Sequence, residues 1–270
     1  MTIKQLPPAR YKIERIEIGK ERYYLVDTGV DTYRMGGVTS ELDIIGGQKT
    51  RALMAWNLNE GLARIKEHLT PMIGSNVILD EKKIESIIAS AKRKPKDSLK
   101  QATDYGTEIH AILDALMTGR DAGVINKKFE QPLEGFLAWS KAKNIRSIAG
   151  DTKVASLVHF YAGALDAVWE IDGELVLVDY KSSRSIREET PLQCGAYWQA
   201  LTETHGVSAD SILIIRVRKE PVEEYEIHPY EPEVRWVENP QSSLEAFLVA
   251  KDLRKRMSVS HFAPVKAAVK

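Results

Sequence analysis

The feature that narrows this chain most is Asp172-Gly173, set between Ala167-Val168-Trp169-Glu170-Ile171 and Leu175-Val176-Leu177-Val178. Asp-Gly is the preferred pair for a two-residue type I′ turn, because both central residues need φ > 0. The flanking runs read as the two strands of a hairpin, and the second is apolar enough to be buried. With the turn fixed there, Ile171 pairs with Glu174. The same register carries Asp166 to a position opposite Asp179, on one face, with Cβ atoms about 4.5–5.5 Å apart. Like charges so placed destabilise a sheet, so the arrangement asks for a cation. Lys181 lies two residues beyond Asp179 and points to the same face, roughly 6.5–7 Å along the strand. Tyr180 points the other way. Two hard oxygen ligands and an ammonium describe a Mg²⁺ site with a positive group ready for a phosphate or a water. The competing reading is a pair of solvated strand-end carboxylates with Lys181 as a surface ion-pair partner.

Around this hairpin the chain alternates strand and helix signals. Residues 11–18 and 22–27, joined at Gly19-Lys20, read as an N-terminal hairpin, and Met35-Gly36-Gly37 reads as a loop. Ala52, Leu53, Trp56, Leu62, Ile65 and Leu69 share a helical face over 50–69. A second helix is expected from Asp80 to about Arg93, ended by Pro95, and a third from about Asp97 to Met117, stopped by Gly119. A further helix is expected over 130–143. Thr190-Pro191 opens another, with Thr190 as N-cap and Pro191 at the first helical position. "SILIIRVR", 211–218, is then a strand reached by a crossover onto the same sheet. Ser242 and Glu245 fit a capping box for a last helix running to Met257. The expected fold is α/β: a central mixed β-sheet flanked by helices, with an N-terminal β-hairpin and helical extension. The expected divisions are 1–95 for that extension, 96–258 for the core and 259–270 for a C-terminal tail.

Composition excludes some classes of function. One cysteine, Cys194, rules out an internal disulfide and any multi-cysteine zinc or iron–sulfur site. No run approaches the roughly 18 apolar residues of a membrane span, and no signal-peptide pattern opens the chain. A cytoplasmic protein with no membrane partner is expected. Net charge is zero and the pI near 7.0, so a nucleic-acid contact would have to come from how charge is distributed. Lys92, Arg93, Lys94 and Lys96 form one basic run, Arg216, Arg218 and Lys219 a second, and Arg254-Lys255-Arg256 a third. Any such run is ordinarily a solvated face.

Two helical pairs complete the candidate site. Gly106 and His110 are four apart and share a face. An interior glycine costs about 1 kcal/mol relative to alanine, which suits a place where a phosphate backbone or a strand comes close. A lone helical histidine is ordinarily structural; beside the aspartate hairpin His110 becomes a candidate metal ligand. Gln193 and Tyr197 are also four apart. Gln193 either completes a capping box with Thr190 or reaches Lys181 or a nucleic-acid phosphate.

These blocks, in order, are Gly106-x-x-x-His110, Gly163-x-x-Asp166, Asp179-Tyr180-Lys181 and Gln193-x-x-x-Tyr197. The ordered set resembles the PD-(D/E)XK nuclease superfamily in its RecB-like branch, nearest to the mitochondrial genome maintenance and stand-alone phage exonucleases. An opening hairpin, a Val38-Thr39 loop and a helix bearing Trp56 are similar to that group as well. Leu165 stands where the superfamily name has proline, and Asp151 stands where relatives often carry glutamate. The resemblance implies a restriction-endonuclease-like core and a metal-dependent deoxyribonuclease. It implies that Asp166 and Asp179, with the Tyr180 main-chain carbonyl and His110, hold Mg²⁺ or Mn²⁺. Lys181 would orient or activate the attacking water, and Gln193 and Tyr197 would position Lys181 and the DNA. The iron–sulfur subgroup needs four cysteines and is excluded.

The expected activity is exonucleolytic hydrolysis at DNA ends or single strands, in replication, recombination or repair of a phage or plasmid kind. Gly106 and the run Lys92, Arg93, Lys94 and Lys96 are candidate DNA contacts, and residues 20–75 a candidate threading surface. No G-x-x-x-x-G-K-S/T motif occurs, so any helicase or recombination partner is a separate protein. The alternatives are a structure-specific or restriction-type endonuclease on the same fold, and a non-catalytic DNA-binding module.

Overall fold

The computed structural model describes residues 4–258 apart from positions 20, 46 and 76, with the side chains of 47–52 also outside the description. The expected tail, 259–270, and Ala52 of the expected helical face fall outside the described residues. The chain forms two units, Met1–Ile45 with His110–Lys270, and Gly46–Ile109.

The first unit is built on an eight-stranded mixed sheet with helices against it, the α/β class expected. Its strands are β1 Lys12–Ile18, β2 Glu21–Asp27, β3 Thr32–Gly37, β4 Ile145–Ser156, β5 Tyr161–Ile171, β6 Glu174–Lys181, β7 Ser211–Arg216 and β8 Glu233–Trp236. The first three form an antiparallel meander. β3 then runs parallel to the start of β5, through Gly36↔Tyr161 and Gly37↔Ala162. β4 lies antiparallel along β5, and β6 is the antiparallel hairpin partner of the other half of β5. β3 and β6 therefore reach β5 at opposite ends, and residues 163–166 lie between the two pairings. β7 is parallel to β6 through the expected crossover, and β8 closes the edge antiparallel to β7.

The helices of this unit include α1 Val38–Glu41, α4 Glu130–Lys141, α5 Glu189–His205 and α6 Pro240–Met257. Cys194, Tyr197 and Leu201 of α5 and Leu244 and Phe247 of α6 share one core with Tyr161, Leu177, Ile212 and Ile214 of the sheet. Phe136 of α4 packs instead against Trp169 and Tyr180. Val176, Leu177 and Val178 have no exposed surface. At about 1.5–3 kcal/mol for each apolar side chain so buried, β6 is held firmly where it leads into its polar end.

The second unit is a helical pair, α2 Gly47–Leu69 against the first part of α3 Glu81–Thr118. Arg64 Nε donates to Ser90 Oγ at 2.9 Å and Ser98 Oγ to Glu60 Oε2 at 2.6 Å, so the two helices run antiparallel.

Several expectations need correction. Helix α3 does not end at Pro95 but runs through it as one element. Proline removes the N–H that would meet the Ala91 carbonyl, a loss of about 3 kcal/mol in a helix interior. Helix α2 packs closely there: a Cβ on Gly61 would lie 3.5 Å from that carbonyl oxygen. Met35-Gly36-Gly37 is a strand end rather than a loop, because β5 supplies a pairing partner that local sequence does not announce. Val38-Thr39 opens the short helix α1 rather than a loop. The 1–95 boundary also shifts, since β1–β3 join the same sheet as the hairpin and the inserted unit covers Gly46–Ile109. Helix α5 starts at Glu189 with no side-chain cap, so Thr190 lies inside its first turn and is not the N-cap. Helix α6 is capped by Asn239, whose Oδ1 accepts from the Ser242 N–H at 2.9 Å, so Ser242 caps nothing. Asn239 stands immediately before Pro240 in N1, the place from which an N-cap side chain takes the N–H of the third helical residue.

Candidate functional site

The turn chemistry sets the site. Asp172 and Gly173 have φ of +51° and +92°, the positive values a type I′ turn requires. The ladder then runs from Ile171↔Glu174 to Ala167↔Val178, the register expected from sequence. It stops one pair short of Asp166 and Asp179. On its other side the pairing of β5 passes from Ala167↔Gly150 to Leu165↔Thr152, so Asp166 stands outside the ladder on both edges. Its Oδ2 instead accepts the Tyr180 N–H at 2.7 Å, a carboxylate taking the place of a ladder acceptor.

Around this break the structure gathers the residues picked out by spacing. His110 Nδ1 lies 3.4 Å from Asp166 Oδ1, and its ring meets that of Tyr180 edge-on at 5.8 Å. Lys181 Nζ lies 2.5 Å from Asp179 Oδ2 and 3.5 Å from Gln193 Oε1. Gln193 Nε2 donates to the Tyr197 hydroxyl at 3.0 Å. Gln193 therefore reaches Lys181 and does not cap α5. Tyr161 donates to the Ala196 carbonyl at 2.9 Å, tying α5 to β5 beside this chain of contacts.

Burial makes the charges matter. Asp179 is 2 % exposed, and its Oδ2, though close to Lys181, has no aligned hydrogen-bond donor. Burial pushes its carboxyl up; the Lys181 charge opposes this, and Asp166 adds to the rise. Asp166 goes the other way. Burial would raise it, but hydrogen bonding and charge from His110, with Lys181 and the Tyr180 N–H, hold it below the ordinary value. Burial would lower Lys181, yet Asp179, with Cys194 and Asp166, raises it, so its ammonium is held charged. Two neighbouring acids pushed apart in this way are the pattern of a functional site.

Among the described residues no three His, Cys, Asp or Glu side chains close around one point in the manner of a bound metal. The donor chemistry nonetheless suits a divalent cation. Two carboxylates face one ammonium, and a buried carboxylate oxygen of Asp179 lacks an aligned donor.

The Tyr180 side chain is core, 1 % exposed among His110, Phe136 and Trp169. Gly106 and the run Lys92, Arg93, Lys94 and Lys96 belong to the helical unit, where Lys92, Arg93 and Lys96 are exposed and Lys94 half-buried. Asp151 is exposed on β4, at the step where the β4–β5 pairing skips Asp166. Gly163 has a structural reason that spacing alone did not disclose: a Cβ there would meet Tyr197 Cε1 at 2.5 Å.

No family model matches this chain, and no curated protein does. Among solved structures, the crystal structure of SSO0001 superposes over 80% of this chain and 91% of its own, at 12% identity and a TM-score of 0.34. That superposition is too loose to assign a fold or a function. Among the described residues no helix is long and apolar enough to cross a membrane.

Proposed function

We propose that this protein is a metal-dependent deoxyribonuclease of the PD-(D/E)XK kind, acting as an exonuclease at DNA ends or single strands. The observation that carries the reading is buried Asp179 paired with half-buried Lys181 beside Asp166, a position that neither the β4 nor the β6 ladder pairs. Nothing in the packing of a sheet requires two acids and a lysine in that place, and burying Asp179 there is costly.

Asp166, Asp179, the Tyr180 carbonyl and His110 would hold Mg²⁺ or Mn²⁺. When bound, such an ion makes a nucleophile from water at neutral pH and polarises a phosphoryl oxygen. The protein's own residues supply orientation and charge. Lys181, held protonated, is suited to steer the attacking water and offset charge developing on the phosphoryl oxygens, rather than to act as a base. Gln193, fixed by Tyr197, sets where that ammonium points. The low value of Asp166 keeps it ionised near neutrality. Gly106 and the basic run Lys92, Arg93, Lys94 and Lys96, within the helical unit, would add DNA contacts of their own. A separate helicase or recombination protein would deliver the substrate in replication, recombination or repair.

The test is cleavage of 5′- and 3′-labelled single- and double-stranded DNA with Mg²⁺, Mn²⁺ or EDTA, beside Lys181→Ala. Metal-dependent shortening from an end, reduced roughly 100- to 1,000-fold in a folded Lys181→Ala protein, is the expected result. Internal cuts in circular DNA would make it an endonuclease. A folded wild-type protein that shifts DNA on a gel and cuts none would be a binding module.

A further inference from the structure

The carboxylate–lysine centre leaves the basic run Arg216, Arg218 and Lys219 without a role, and the sheet splits that run. Arg218 lies past the end of β7, donates to the Glu231 carbonyl at 2.9 Å and lines a separate cleft with Trp139, Tyr225 and Trp236. Arg216 is the parallel register partner of Lys181. Paired residues of neighbouring strands point to one face, with the strands about 4.8 Å apart. Ile212 and Ile214, earlier on the same strand, sit in the core with Cys194 and Tyr197 of α5. Alternation then puts Arg216 on the face that carries Asp179, Lys181 and Gln193.

Arg216 is anchored through one nitrogen only. Its Nε donates to Oε2 of Glu233, its antiparallel partner on β8, at 2.7 Å. Glu233 also holds Arg235 through Oε1 at 3.0 Å. Among the described residues no other guanidinium nitrogen of Arg216 makes a hydrogen bond, so the two terminal nitrogens remain for a ligand. Such an end matches two phosphate oxygens, and Glu233 removes part of its freedom in advance.

Charge gives the ligand. Asp166 and Asp179 would be taken up by the divalent ion and its scissile phosphate, and Lys181 is already engaged by Asp179 and Gln193. A phosphate beside the scissile one would need a cation of its own, and Arg216 is the neighbour in register. We propose that Arg216 binds a DNA phosphate next to the scissile bond, with Glu233 as its positioning residue. This rests on the nuclease reading above.

The test uses end-labelled DNAs, each carrying one neutral methylphosphonate at successive positions near the cut, with wild type, Arg216→Ala and Arg216→Lys. In the wild type a methylphosphonate at one position should lower kcat/KM by about 10- to 100-fold. Arg216→Ala should lose a similar factor on normal DNA and lose little more at that position. Arg216→Lys should recover only part, having a charge but no fork. If Arg216→Ala does not fold, Arg216→Lys, which keeps a cation against Glu233, carries the same comparison. A cleaving wild type whose folded Arg216 variants keep full rate, or keep full sensitivity to every methylphosphonate, overturns the assignment alone. A wild type that cuts no DNA with either metal refutes the nuclease reading, and the assignment falls with it.

Discussion

Replacing Gly163 with alanine tests whether the strand, the helix and the lysine form one mechanical unit. The new Cβ would stand 2.5 Å from Tyr197 Cε1 and 3.4 Å from Cδ1 and Cζ. Carbon atoms pack at about 3.5–4.0 Å, so the ring or the strand must retreat by roughly 1 Å. Tyr197 is 5 % exposed and sits in the core of α5, so it has little room to move. Overpacking of this kind costs about 1–3 kcal/mol. For a chain of this size that is a fall in Tm of roughly 2–12 °C. The displacement also passes along the contacts from Tyr197 to Gln193 and Lys181. A misplacement of about 1 Å at a reacting centre can cost on the order of 100-fold in rate. The assay is thermal unfolding and DNA cleavage for Gly163→Ala, Tyr197→Ala and the double variant. Tyr197→Ala makes the room that the new methyl needs, so the second change should add little to its destabilisation. A Gly163→Ala protein with wild-type Tm and kcat, or costs that simply add, would refute the coupling.

Two further predictions concern stability. Burial pushes the Glu233 carboxyl up, but Arg216 and Arg235 outweigh it and hold it below the ordinary 4.5. A lowered folded value means the pair contributes fully above pH 4.5 and fades as the pH falls through the folded value. The stability difference between wild type and Glu233→Gln, followed by denaturant unfolding, should therefore shrink below pH 4.5; a gap that widens there would contradict this sign. Thr204, with no exposed surface, accepts from the Ala155 N–H at 2.9 Å and donates to the Ala155 carbonyl at 3.1 Å. Thr204→Val keeps the shape but strands both groups, so about 1–3 kcal/mol should be lost and largely regained in Thr204→Ser. Equal melting temperatures for all three proteins would count against the role.

What the sequence disclosed follows how local each cause is. The Asp172-Gly173 turn dictates its own geometry, so the hairpin register, and with it the neighbourhood of Asp166, Asp179 and Lys181, could be read directly. Gln193 and Tyr197 were legible as one helical face, but the choice between a capping box and a reach to Lys181 turns on where α5 begins. β4 was not legible: "IRSIAGDTKVAS" has few strong strand formers and is held by its long pairing with β5. β3 was hidden because its parallel contact with β5 rests on two glycines. Pro95 announces a break that packing against α2 overrides. Arg216 looked like any surface charge until register set it beside Lys181.

The interrupted order of the first unit has a consequence for synthesis on the ribosome. The meander β1–β3 leaves the exit tunnel early, while the strand that completes it, β5, follows only after the whole helical insertion and β4. At roughly 5–20 residues per second the outer edge of β3 waits on the order of ten seconds for its neighbour. During that interval Met35, fully covered in the finished protein, is denied the Ala155 and Ala162 it packs on. The nascent chain thus carries an open strand edge until β5 emerges, a window in which a chaperone or another chain can compete for it.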